Sequence, residues 1–273
     1  LGPLWDRVHE VAPNLFTGAF GLGSTFYRSS ALDRRGSPTR FHHPAVHFAA
    51  GCLTGLRKAG GTSIYTNAAW ESARLHDTFA MAEADIRTCL TRDSFRRNDT
   101  FYETIQTMRR EYGHAIVAKR QAMWYYDMQR GWFDHPRLNA EIAAQRTVGA
   151  RLLNVPHRNI ARTAVVVHGP GWRTWAGWDD QPLTPDSRPD GGVLEFVDDC
   201  GLISLRAMFR VGAPRDVLQG ADLVHPDARD YRLYLFPSLF HCTEKMRETI
   251  HSLVAKQGKT VFLVYGAGST EEE

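Results

Sequence analysis

At 273 residues, 43% hydrophobic and 23% charged, the chain is long enough to bury a sizeable core and reads as soluble and globular, which excludes a function based on disorder. Its net charge of +3 comes from interspersed acids and bases, so no nucleic-acid partner is expected, and no run approaches the roughly 18 apolar residues that span a membrane. Cys52, Cys89, Cys200 and Cys242 form no CxxC pair, which speaks against a zinc ribbon or a disulfide framework.

The chain starts at Leu1 and ends on three glutamates, with no charged-then-apolar leader at its start. We expect a fragment of a longer protein, with a cytoplasmic location favoured. Arg28, Arg34, Arg35 and Arg40 read as a solvated loop. His43 and His47 are four apart, but Pro44 between them disfavours a helix and no carboxylate follows at metalloprotease spacing, so no metal is expected. Ser72, His76 and Asp77 carry the letters of a triad, yet no GxSxG elbow accompanies them.

The segment FAMAEADIRT, Phe79 to Thr88, is the richest in chemistry. Phe79, Ala80, Met81 and Ala82 lead into Glu83 as a buried parallel strand would, and in barrel enzymes the chemistry sits where such strands end. From Thr100 the pattern turns helical: Phe101, Ile105, Met108, Tyr112 and Ile116 form one stripe, and Thr100 with Glu103 forms a capping box. This helix is expected to run to about Arg120. A second strand, AMWYYDM, then ends on Asp127. Another helix begins at Pro136, with Asp134 as its expected cap and Leu138, Ile142 and Leu152 facing inward.

After Val155 and Pro156 the periodicity resets, which predicts two domains, residues 1–157 and 158–273. The second opens with the strand TAVVVH, residues 163 to 168. A long loop rich in Gly, Pro and Asp follows from Gly169 to Gly192, then a helix near Leu202 to Phe209. The strand YRLYLF, a helix capped by Thr243 and closed by Gly258, and the strand TVFLVY complete a β-α-β unit. About three strands are visible here. The terminal YGAG holds one GxG, short of a dinucleotide fingerprint.

Four blocks in order, ESARLHDTFAMAEADIRT, RREYGHAI, MWYYDMQRGWFDHPRL and DYRLYLFPSLFHCTEKMRETIHSLVAKQGKTVFLVYGAG, resemble the glycoside hydrolase family 42 group of β-galactosidase-like enzymes. The resemblance covers most of residues 57 to 268. It implies an α/β chain made of the C-terminal part of a (β/α)8 TIM-type barrel followed by a partial flavodoxin-like parallel α/β domain that helps such chains assemble, often as trimers. It implies a retaining glycosidase acting on β-galactosides or related sugars, with Glu83 at the nucleophile position, the acid/base glutamate upstream of Leu1, and no cofactor.

Each candidate has a structural rival. Glu83 as nucleophile competes with Glu83 as a partner of Arg87, although a neighbouring guanidinium serves both by favouring the ionised carboxylate. Asp85 shares its face if the chain stays extended, as a sugar-binding or structural acid. Trp124, Tyr126 and Trp132 beside Asp127 offer the flat apolar platforms that sugars stack on, against a role in the core. Trp172, Trp175 and Trp178 in the long loop point to an interface, as in a homo-oligomer. A different class stays open: a carbohydrate-binding or assembly protein without a working acid pair.

Overall fold

The structure is a computed structural model that describes residues 2–20, 47–52, 69–92, 97–117, 122–127, 130–152, 155, 156, 158–167, 211–237, 239–264 and 266–269. The basic cluster, His42, His43, the loop at 169–192 with its three tryptophans, and the helix at 202–209 lie outside the described residues.

Among the described residues, two four-stranded parallel sheets organise the chain. The first takes its strands in sequence order: β1 (Gly18–Phe20), β2 (Phe48–Cys52), β3 (Phe79–Ala84) and β4 (Ala122–Tyr125). Each strand pairs with the next in sequence, the succession from which a (β/α)8 barrel is built. Helix α1 (Gly2–Val11) precedes it, α2 (Trp70–Leu75) leads into β3, α3 (Phe101–Val117) connects β3 to β4, and α4 (Pro136–Leu152) follows β4.

The capping box of α3 forms as expected, with Glu103 N donating to Thr100 Oγ1 at 3.1 Å and Thr100 N to Glu103 Oε2 at 3.2 Å. At α4 the cap is His135 rather than Asp134. The helix starts at Pro136, which puts His135 in the cap position, and its Nδ1 accepts from Arg137 N at 3.2 Å. Leu138 is fully buried and Ile142 packs on the same cluster, whereas Leu152, expected inward, is exposed.

The second sheet has one strand more than expected: β5 (Thr163–Val167), β6 (Arg215–Gln219), β7 (Leu233–Phe236) and β8 (Thr260–Leu263), in the order β6-β5-β7-β8. The addition, β6, opens with Arg215 and Asp216, which hide its apolar residues Val217 and Leu218. A short 3-10 turn, Gly220–Val224, follows it. Between β7 and β8 runs α5 (Glu244–His251), continued as a π-helical turn, Ser252–Lys256. Thr243 caps α5 by accepting from Met246 N, and Gly258 closes it with φ +62, a conformation that suits glycine.

The core of this sheet gathers Val166, Leu218, Tyr231, Phe236, Leu239 and Met246 with Leu75 from α2. On the other face Val165, Val167 and Val217 pack with Ala69, the residue before α2. Helix α2 belongs by sequence to the first sheet, yet its flanking apolar residues are buried in the second.

Candidate active site

Glu83 is the penultimate residue of β3 and is 7% exposed. Its direction follows from its neighbours. Ala84 and Ile86 are buried against Met108 of α3 and Leu138 of α4. Side chains alternate along an extended chain, so Glu83, and Asp85 just past the strand end, lie on the opposite face, turned away from the helices. In a barrel that face is the interior.

The same reasoning holds on β4. Met123 and Tyr125 pack on the helix-side cluster, and the Tyr125 hydroxyl donates to Gln145 Oε1 of α4. Burial pushes the Tyr125 phenol up, which keeps it protonated as a donor. Trp124 and Tyr126 therefore share the face of Glu83. The register pairs Glu83 with Trp124, and the backbone of Tyr126 donates to the carbonyl of Ala84 at 3.2 Å, extending the two strand ends together.

Two expected sugar contacts take other places. Trp132 is 2% exposed within the helix-side cluster, and the Thr88 hydroxyl donates to its carbonyl. Its ring is covered, so it serves as a seat for Arg87, whose guanidinium carbon lies 5.7 Å from the ring centroid. Asp127 is exposed, two residues past the end of β4, and its Oδ2 accepts from Gly131 N at 2.9 Å and Trp132 N at 3.0 Å. It closes the turn that carries Trp132 inward. Arg130 and Gly131 in that turn have φ of 59 and 97.

What the strand ends bring to one face is thus Glu83, Asp85, Trp124 and Tyr126, with Arg87 drawn instead onto Trp132. This set can present a carboxylate to an electrophilic carbon, orient hydroxyl groups through Asp85, and offer aromatic faces to the C–H side of a sugar. Among the described residues no group of three or more His, Cys, Asp and Glu is placed to hold a metal ion, and no helix is long and apolar enough to cross a membrane. His47 instead accepts from Thr17 N at 3.2 Å. A groove of about 520 Å3 lies elsewhere, on the second sheet between Val224 and α5, with His225, Arg229 and Lys256 in its walls. It is open and carries mixed charge, and it is remote in sequence from both strand ends.

Sequence reasoning missed the polar face of α2. Ser72 and His76 make no triad with Asp77. Ser72 Oγ accepts from Gln219 N at 2.8 Å, and His76 Nε2 lies 2.7 Å from Asp222 Oδ1. Glu71, almost fully buried, accepts from Arg74 at 2.8 Å and from Arg229 at 3.1 Å. No local pattern announces such a face, because its partners lie in the second half of the chain.

No family model matches the sequence and no curated protein does. Solved structures do. A catalytic mutant of a GH42 β-galactosidase from G. stearothermophilus matches with a TM-score of 0.56 at 11% identity, over 97% of this chain and 39% of that one. The β-galactosidase from Rahnella sp. R3 matches with a TM-score of 0.47 at 14% identity, over 86% of this chain and 38% of that one. The chain spans well under half the length of these enzymes. Over the part it spans, it has the fold of the GH42 β-galactosidases, whose architecture includes a TIM barrel.

Proposed function

We propose that this chain carries the nucleophile end of a retaining glycoside hydrolase acting on β-galactosides or related sugars. The Glu83 carboxylate attacks the anomeric carbon, the leaving oxygen departs with a proton from an acid/base carboxyl, and a glycosyl ester forms on Glu83. Water, deprotonated by the same acid/base group, then attacks the anomeric carbon and releases Glu83. Retention needs the two carboxyl groups about 5 to 5.5 Å apart. We expect the second from sequence outside this chain. Asp85, Trp124 and Tyr126 would bind the sugar.

The observation that supports this reading is the placing of Glu83: at the carboxyl end of a parallel strand, on the face away from the helices, paired in register with Trp124. We assign residues 158–273 to a flavodoxin-like assembly domain of a homo-oligomer, a trimer by analogy. Its strand order, numbered within the sheet as 2-1-3-4, agrees with the flavodoxin-like order as far as it goes.

The test is incubation with a dinitrophenyl 2-fluoro-β-galactoside, whose good leaving group lessens the need for the acid, followed by intact-mass analysis and peptide mapping. A galactosyl label on Glu83 is the expected result. A folded protein that binds galactosides without acquiring the label would instead be the carbohydrate-binding relative.

A further inference from the structure

Helix α2 has six residues, too few to be stable alone, and only His76, Asp77 and Thr78 separate its end from the strand that carries Glu83. Its support comes from the second sheet. Ser72 holds the backbone of Gln219, His76 meets the buried carboxylate of Asp222, Glu71 accepts from Arg229, and Arg74 donates to the carbonyl of Asp227 at 3.2 Å. His225 adds an edge contact to the ring of His76, with centroids 5.3 Å apart. Ala69 and Leu75 seal the two ends of the helix into the apolar clusters of that sheet.

Little slack separates this clamp from β3. Asp77 turns the chain with φ 51, Thr78 N donates to Ala73 O at 2.8 Å, and Phe79 N donates to His47 O at 2.8 Å. From Phe79 the strand is held in register between β2 and β4 up to Glu83 and Ala84. A strand so held moves as a rod, so a shift at Thr78 appears at Glu83, and a displacement of about 1 Å at a reacting group costs on the order of a hundredfold in rate.

We infer that the second sheet positions the end of β3, and with it Glu83, through α2, with His76 and Ser72 as the positioning residues. The coupling rests on geometry alone; its catalytic meaning rests on the reading of Glu83 as nucleophile. The second domain is then part of what sets the active site, besides any role in assembly.

The test compares His76→Ala, His76→Gln and Ser72→Ala in the whole chain, by hydrogen exchange and by the rate at which the 2-fluoro-galactoside labels Glu83. His76→Ala is expected to speed exchange of the Ala82 to Ala84 amides and to slow labelling, each on the order of tenfold. His76→Gln restores both, because its amide can still donate to Asp222. Ser72→Ala moves both in the same direction by less. Faster exchange confined to residues 219–224, or a uniform rise across both sheets, would overturn the inference, since the contact would then only hold the fold. If the unaltered chain takes no label, the nucleophile reading falls while the exchange of β3 still decides the coupling.

Discussion

Glu83 and Trp124 stand side by side at the ends of β3 and β4, paired in register on the face that the helices leave uncovered. A carboxylate beside a half-buried indole suits a pyranose, whose polar edge and apolar face differ in the same way. Aromatic pairs contribute about 0.5–1.5 kcal/mol beyond the area they bury, and an indole stacked on a sugar's C–H face is expected to contribute on the same order. In a Glu83→Gln background, where no ester can form, Trp124→Ala should therefore weaken galactoside binding about three- to tenfold in a calorimetric titration. Unchanged affinity would remove Trp124 from the pocket.

Asp127 has a structural task in this arrangement. Its Oδ2 gathers two backbone N–H groups of the turn that delivers Trp132 to the core. Asp127→Ala should lower stability by about 1 kcal/mol, seen as a lower urea midpoint with an unchanged slope, and red-shift the tryptophan emission as Trp132 gains water. Asp127→Asn keeps an acceptor oxygen and should lose less. Galactoside affinity falling by far more than this stability change predicts would return Asp127 to the sugar site.

The elements that could be read directly were those whose signals are local. The stripe from Phe101 to Tyr112 and the Thr100–Glu103 box mark α3 without reference to anything distant, and Thr243 with Gly258 marks α5 in the same way. Alternation along β3 was legible enough to place Glu83 on the face opposite Ala84, with Asp85 expected beside it if the chain stays extended. Trp132 misled because a tryptophan after a strand end looks the same whether a turn folds it under or leaves it open, and Asp127 makes that choice. The polar face of α2 was invisible, since Glu71 and Ser72 are buried by Arg229 and Gln219. Burial by partners so far along the chain leaves no periodicity to read.

His114 makes stability depend on pH. Burial lowers its folded pKa below the ordinary 6.5, Glu111 opposes that shift, and the charges of Arg110 and of Arg215 add to it; burial has itself brought Arg215 down to about 10. The unfolded chain therefore takes up a proton near pH 6.5 before the folded chain does. The neutral imidazole contributes fully above that pH, and stability is lost as pH falls below it toward the depressed folded value. The urea midpoint should be lower at pH 5.5 than at pH 7.5, and His114→Gln should flatten that part of the dependence. An equal slope in the variant would place the proton uptake elsewhere.

Helices α3 and α4 meet at Tyr112, whose hydroxyl donates to the carbonyl of Gln145 at 2.6 Å. One turn further along α4 lies Gly149, where a Cβ would overlap the Tyr112 hydroxyl oxygen. Glycine inside a helix costs about 1 kcal/mol relative to alanine, so Gly149→Ala alone ought to stabilise. Here the hydroxyl must move and give up its bond, which costs about 1–2 kcal/mol and cancels or exceeds the gain. With Tyr112→Phe the obstruction is gone, because the ring carbon that bears the hydroxyl would be 3.6 Å from the new Cβ, an ordinary contact. Gly149→Ala should therefore be neutral or destabilising in the native background and stabilising by about 1 kcal/mol in the Tyr112→Phe background, a sign change that a double-mutant cycle in urea resolves. Equal effects in both backgrounds would mean that the tyrosine does not dictate the glycine.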